Sequence, residues 1–498
     1  MKKFIIPLIL LSTITCFAQS NLPDDKKLDT IVNHAAQAFI NGKPWLALSA
    51  GVVKDGVTRF YSYGTTQKNK NVPPAGESIY EIGSITKTFG SLILAHAVLE
   101  GRVKLDDDIR KYLREGYPNL QYGKEPVRLI HLVNLTSRLP DNLPDKPEAF
   151  KNVSQDSISF VIAKVHAGYT KADLLRDLHN SKLDTVPGIQ PRHSNVAGQL
   201  LGIILENIYN KPYDELLKQY ITGPLKMTNT FMTVPINKKQ QLLQGYNDKG
   251  APMPFIPEDA QAAGGMHSSI EDLTRYMQYH LEEKDPAVKM THQPAWGDPN
   301  VFALGLNWFI NKTGDGKLIV HDDGTTLAFT TYFMMYPELK FGVVLTTNMY
   351  SPTSNNELGN AAERIFNENY YTAEERASDG FGFSASINKL LTELNKQGYD
   401  HAAEVVDDLK KNDPQFVLNE NELNNWAYKL SGKGKKNNAL EIFKLNVSLY
   451  PKSYNTYDSL AELYEGIGNK ELAVKNYKRS LELNPQNTHA IEQLKHLE

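Results

Sequence analysis

Ser84 and Lys87 stand three residues apart in Ile82-Gly83-Ser84-Ile85-Thr86-Lys87-Thr88. At the start of a helix that spacing places both on one face of the first turn, an amine beside a hydroxyl. A neutral amine can take the hydroxyl proton and turn the serine into a nucleophile toward a carbonyl carbon. The pair alone is a weak sign, because serine and lysine are common. It gains weight from the element that carries it. Across Tyr80–Leu99, the residues Phe89, Leu92, Ile93, Ala95, Val98 and Leu99 are apolar around most of the helical circumference. Such a helix belongs in a core, where it would hold the pair rigidly.

The surrounding pattern predicts a mixed fold. Leu46–Gly64 reads as a β-hairpin, two β-rich runs joined by Lys54-Asp55-Gly56. After Gly101, Val103–Tyr112 and Arg128–Thr136 read as further helical pieces, whereas residues 141–184 show no clear period. Asn195–Tyr209 is apolar at helical spacing, and Ser269–Leu281 opens with acidic residues as a helix start does. Strands return near Lys317–Asn348, the last two joined at Pro337-Glu338. Strands at both ends with helices between give an α+β class: an antiparallel sheet flanked by helices.

The chain has 498 residues, 41% hydrophobic and 22% charged, with a formal net charge of −3. That balance suits two or three soluble domains and offers no long basic stripe, so nucleic acid is not an expected partner. Met1-Lys2-Lys3 followed by the apolar run to Cys16-Phe17-Ala18 reads as a secretory signal peptide cut near Ala18, too short for a stable membrane span. Cys16 is the one cysteine, so the mature chain would have no disulfide, no thiol nucleophile and no cysteine metal site. A periplasmic or secreted location follows from that reading.

Composition shifts across Asn367–Ser384, and beyond it the chain repeats itself. Trp426, Ala427, Leu430, Ala439, Phe443 and Pro451 recur 34 residues later as Leu460, Ala461, Tyr464, Ala473, Tyr477 and Pro485. Ala402, Val406 and Pro414 keep the spacing of a worn third copy. The pattern resembles the tetratricopeptide helix–turn–helix, with Thr488–Leu497 as a capping helix. The expected division is residues 1–18 as signal peptide, 19–369 as the domain carrying Ser84, 370–385 as linker and 386–498 as all-α repeats. The repeats would offer a groove for a protein partner, or serve as a docked stabilising appendage.

From about Leu28 to Asn369 the chain resembles the serine β-lactamase-like family of class C β-lactamases, D,D-peptidases, D-aminopeptidases and esterases. The resemblance rests on the Ser84 segment, Arg128–Pro140, Pro187–Gly202, Gly223–Met227, Ala263–Met266 and His321–Phe329, in matching order. It implies a β-lactamase/transpeptidase-like fold and acyl transfer without a cofactor or metal. Ser84 would form an acyl-enzyme, Lys87 would act as base or proton relay, and Asn195 would hold the substrate amide. The oxyanion hole would use the backbone N–H of Ser84 and of a residue on the strand after His321.

Two departures stand out. The family's second motif is usually Tyr-x-Asn, and here it is His193-Ser194-Asn195. Histidine can relay a proton to the leaving group, since it titrates near neutrality. The competing reading is a repurposed site of low activity. The third motif usually runs His/Lys-x-Gly, and here it is His321-Asp322-Asp323-Gly324-Thr325-Thr326-Leu327-Ala328-Phe329. One residue inserted after His321 brings Gly324, Thr326 and Phe329 into register and makes Thr325 the oxyanion donor. His321, Gly324 and Thr325 are then substrate-binding candidates. Without the insertion, Asp323 would crowd the substrate strand. Either way two carboxylates disfavour a substrate carboxylate or favour a cation. A metal cluster at His321-Asp322-Asp323 has no further ligand beside it in sequence. His267 reads as a loop residue and His131 as a core residue.

The leading expectation is therefore a secreted serine hydrolase that opens an amide or ester of a small molecule or peptide. A β-lactamase is the first alternative. A non-catalytic ligand-binding or scaffold module is the second.

Overall fold

The hairpin turn at Asp55-Gly56 has φ of 53° and 78°, the left-handed pair that matches strand twist. It joins β1 (Ala47–Lys54) to β2 (Val57–Gly64). A computed structural model describes residues 25–68, 70–314 and 316–497. The expected signal peptide lies outside the described residues. The chain forms two compact units, one of residues 25–296, 304–310 and 319–369, the other of 297–303, 311–318 and 370–497.

In the first unit the elements that position the site are α1 (Lys26–Ile40), β3 (Ile79–Glu81), α2 (Ile85–Leu99) and α3 (Ile158–His166). They continue with α4 (Asn195–Tyr209), β4 (His267–Ser269) and α5 (Ile270–Glu282). After these come β5 (Leu318–Thr325), β6 (Thr330–Tyr336), β7 (Phe341–Thr347) and α6 (Ser354–Tyr370). Strands β2-β1-β7-β6-β5 lie side by side in an eight-stranded sheet. Their pairing is antiparallel, with Ala50 opposite Leu345 and Tyr332 opposite Leu345. The class is α+β, an antiparallel sheet flanked by helices.

Helix α2 is the spine of this unit, buried at every position from Ile85 to Ala95. Phe89 stacks on Tyr276 of α5 with centroids 4.1 Å apart and planes 10° apart. Asn307 donates to Ser91 Oγ at 2.8 Å and so fixes the helix from its polar side. Burying so apolar a helix on all sides is what the hydrophobic effect favours, and it leaves the first turn little freedom.

Local hydrogen bonding explains where the elements differ from expectation. Val103–Tyr112 forms only a 3₁₀ turn at Ile109–Tyr112. Asp107 accepts from Lys104 N and Asp108 from Arg110 N, and such side-chain bonds compete with a regular helix. The helix within Arg128–Thr136 is Leu129–Val133, ended by Leu135 at φ 60°. The stretch without a clear period contains α3 and a second helix, Lys171–Leu178. His267 is a strand residue, not a loop residue: it pairs with Glu81 between β4 and β3. The last strands run as expected, but the run from Lys317 continues as one strand to Thr325, so His321-Asp322-Asp323-Gly324 is part of the sheet.

The second unit is helical from Ala385 onward: α7 (Ala385–Gln397), α8 (Ala402–Asn412), α9 (Glu420–Gly432), α10 (Lys436–Leu449), α11 (Tyr454–Gly466), α12 (Lys470–Leu483) and α13 (Thr488–Leu497). From α9 to α11 and from α10 to α12 the start positions step by 34 residues, Glu420 to Tyr454 and Lys436 to Lys470. Trp426, Ala427, Leu430, Ala439 and Phe443 are buried together with Leu460, Ala461, Ala473 and Tyr477. The small residues let neighbouring helices approach closely. No described helix is long and apolar enough to cross a membrane.

Candidate active site

Ser84 sits at the N-cap of α2, after Gly83, whose φ of 54° suits glycine. The turn is tightly backed. A Cβ on Gly83 would lie 2.6 Å from Thr325 N. A Cβ on Gly324 would lie 2.0 Å from Ile82 O and 2.9 Å from Ser84 N. Bare backbone on both sides is what lets the strand's Thr325 N come up beside the serine. Ser84 N and Thr325 N are therefore the two donors available to an oxyanion in front of Ser84.

The β5–β6 ladder is continuous from Val320 opposite Met335 to Thr325 opposite Thr330, with no extra residue on either strand. Alternation along β5 then sends Asp322 and Gly324 inward and His321 and Asp323 to the other face. His321 does not line the cleft. Its ring stacks on Phe309 at 5.4 Å and on Tyr332 at 6.2 Å. Burial pushes its pKa down to about 4. The inward position two residues before Gly324 belongs to Asp322 instead.

Lys87 is buried and has three partners. Its Nζ lies 2.8 Å from Ser84 Oγ, 2.9 Å from Asn195 Oδ1 and 2.6 Å from the Ala263 carbonyl. A neutral amine has two N–H donors and one lone pair. The two carbonyl oxygens can only accept, so they take both N–H groups and the lone pair faces the serine hydroxyl. The three contacts thus satisfy the neutral form and point its basic electrons at the nucleophile. Burial pushes Lys87 down to about 8, against the pull of Asp322, Asp141 and Asp323.

The orientation of Asn195 is fixed by a chain of amides. Asn142 Nδ2 donates to Asp141 Oδ2 at 2.7 Å, which leaves Asn142 Oδ1 to accept from Asn195 Nδ2 at 2.9 Å. Asn195 must then turn Oδ1 to Lys87. Asp141 Oδ1 also lies 2.5 Å from His193 Nδ1. A carboxylate accepts only, so Nδ1 carries a proton and Nε2 is the ring nitrogen not engaged by Asp141. Ser194 between them caps α4, accepting from Ala197 N and donating to the Pro140 carbonyl. One carboxylate therefore sets the roles of His193, Asn195 and, through it, Lys87.

Two further carboxylates stand behind the site. Burial, helped by Asp323, pushes Asp322 well above the usual carboxylate range, and Lys87 opposes the shift. Asp323 is also raised by burial and accepts from Asn355 Nδ2 at 2.6 Å. Glu81 lies under the nucleophile turn, fully buried, accepting from Ile256 N at 2.7 Å. Burial pushes it up to about 7.

Ser84, Asn195, His193 and Thr325 line one cleft of about 790 Å³, with Asp141, Asn142 and Thr326. Sequence reasoning missed Asp141, Asn142 and Glu81. The first two follow directly on Leu139-Pro140, where the legible pattern stops. Glu81 sits three residues before Ser84 and reads as ordinary strand polarity.

A family model described as beta-lactamase matches residues 36–368. D-alanyl-D-alanine-carboxypeptidase/endopeptidase AmpH of Escherichia coli strain K12 is 30% identical over 339 residues, 64% of this chain and 83% of the relative. Protein flp of Staphylococcus aureus strain MRSA252 is 28% identical over 339 residues, and the match spans 66% of this chain and 63% of that relative. The solved beta-lactamase/D-alanine carboxypeptidase from Yersinia pestis, complexed with citrate, superposes with a TM-score of 0.59 at 26% identity, covering 70% of this chain and 99% of that one. The solved beta-lactamase/D-alanine carboxypeptidase from Pseudomonas syringae, at 23% identity and a TM-score of 0.55 over 68% of this chain and 98% of that one, shares the fold.

The lysine geometry generates a pH dependence. Protonated Lys87 has no lone pair for the serine proton, and it deprotonates near 8. The acylation rate should rise about tenfold per pH unit below that value and level off above it. A rate that is flat from pH 6 to 9, a span of about three units around that pKa, would show that Lys87 is not the base.

Proposed function

The chain belongs to the beta-lactamase family, and from this and the site we propose that it is an exported serine hydrolase that cleaves an amide or ester through a Ser84 acyl-enzyme. The observation that carries the reading is the buried Lys87 amine, poised as a base on Ser84 Oγ at 2.8 Å. In this mechanism Lys87 Nζ takes the hydroxyl proton as Ser84 Oγ bonds to the carbonyl carbon. The oxyanion receives the N–H groups of Ser84 and Thr325. Collapse breaks the bond to the leaving group, which takes the proton from Lys87, directly or by way of His193 Nε2. Water then attacks the ester, returns a proton to Ser84 Oγ and releases the acid.

Peptidase- or esterase-like turnover is favoured over β-lactam hydrolysis. The strand beside Ser84 offers Asp322 and Asp323, so whether ionised or protonated it supplies no cation for a substrate carboxylate. The names of the relatives above suggest a D-alanyl peptide as the first peptide to try. We read the helical tail as tetratricopeptide repeats that hold a protein partner, and the opening Met1–Ala18 as a signal for export to the periplasm or medium.

An active-site serine phosphonate should add one label per chain by intact mass, and Ser84→Ala should add none. Absence of label on the wild type, or equal label on Ser84→Ala, would favour a ligand-binding module that has lost the chemistry.

His193→Ala should slow acylation by about 10²-fold if Nε2 relays the proton, and His193→Tyr should restore much of it. Equal rates for all three chains from about pH 5 to about pH 9 would remove His193 from the mechanism.

Ending the chain after Asn369 should leave turnover of a small ester intact and abolish capture of a partner in pull-down. Retained capture by the shortened chain would sink the repeat-groove reading.

A further inference from the structure

Helix α3 carries an apolar stripe that the core does not use. Ile158, Ile162 and Val165 recur at i, i+4 and i+7, one helical face. Within this helix Ser159 is the buried residue, and the three aliphatic side chains are half-buried. All three open into the cavity that contains Ser84. Leu327 and Ile256 line the same space, and Phe150 stands at its rim with 38% of its surface exposed. An apolar helical face turned toward a cleft costs stability unless something covers it.

The charged groups of this wall are mostly spent on protein partners. His166 Nδ1 lies 2.8 Å from Asp259 Oδ2. Arg192 donates to Asp184 at 2.7 Å and to the carbonyls of Arg138 and Leu139. Lys146 is a cation on the exposed rim. The strand that carries Thr325 brings Asp322 and Asp323 near Lys87, outside the cavity lining, and supplies no positive charge to the cleft.

We propose that the face formed by Ile158, Ile162, Val165, Ile256 and Leu327 is a substrate subsite for an uncharged hydrocarbon or aryl group. This rests on the serine hydrolase reading and narrows its substrate class. The preferred substrates are esters or amides with an apolar group within reach of α3 and no carboxylate at that end. Covering the stripe with substrate removes the apolar surface from water, so each added methylene strengthens transition-state binding until the pocket is full.

The test uses the full chain and p-nitrophenyl acetate, butyrate and hexanoate, with kcat/KM divided by the hydroxide rate of each ester. A sixth-carbon carboxylate version of the hexanoate completes the set. The expected result is a rise of about three- to fourfold per methylene, with the carboxylate version falling back to the acetate level or below. Ile162→Asp should cut the hexanoate-to-acetate ratio at least about tenfold, and Ile162→Leu should keep it. A flat or falling series overturns the proposal, as does an unchanged ratio in Ile162→Asp. Faster turnover of the carboxylate version would also overturn it, and would assign that end of the cleft to Lys146. The phosphonate label on Ser84 separates the two layers: a labelled chain with a flat series loses only the subsite, whereas an unlabelled chain loses the hydrolase reading and the subsite with it.

Discussion

An amine buried away from water must lose its charge or find an anion, and this fold holds Lys87 between those outcomes. Its three short contacts are to a serine hydroxyl, an amide oxygen and a backbone carbonyl, none of them charged. The carboxylates of Asp322, Asp141 and Asp323 act on it only at a distance. Had any one been bonded to Nζ, the ammonium would be the stable form and the serine would lack a base. The rest of the site can be understood as keeping that arrangement. Asp141 spends its oxygens on His193 and Asn142, and Asp323 accepts from Asn355.

The second constraint is the close approach of two pieces of backbone. Gly83 on the nucleophile turn and Gly324 on β5 face each other with no room for a Cβ on either. This approach brings Thr325 N to Ser84 and forces the register of the strand. With the ladder continuous, the side-chain period of two then decides that Asp322 faces inward and His321 outward. The histidine at this motif is therefore a packing residue between two aromatic rings, and the position facing Lys87 is acidic.

Ser84 and Lys87 were legible in the sequence because a hydroxyl and an amine at a helix start carry chemistry in their types and their helix is strongly periodic, whereas Asn195 was reached only through the family resemblance. Gly324 was reached through the resemblance, with one residue inserted after His321, and in the structure a Cβ there would lie 2.0 Å from Ile82 O. The same alignment that selected Gly324 by an insertion after His321 placed His321 at the site, and the pairing of Val320 through Thr325 without a bulge removes it. Strand facing depends on register against β6, which is a tertiary fact. Asp141 and Asn142 were hidden for a different reason. They lie in a loop with no period, and their importance comes from residues about 50 positions away in the chain, His193 and Asn195. The 34-residue step of the tail was visible because each helix pair must repeat the same small-to-large contacts to stack.

The charges around the cleft also bear on what the site has given up. A hydrolase that selects a carboxylate needs a cation fixed close to the oxyanion strand. Here the inward strand position carries Asp322, and Arg192 is held by Asp184 and two carbonyls. The same acidic strand favours positive charge at Lys87, since Asp322 and Asp323 both pull against the loss of charge that burial causes. A lysine at Asp322 would help bind an anionic substrate but would oppose protonation of Lys87 during acylation. With aspartate there, attraction for an anion is lost and positive charge at Lys87 is better tolerated. The uncharged surface that remains in this cleft is the aliphatic face of α3 with Ile256 and Leu327.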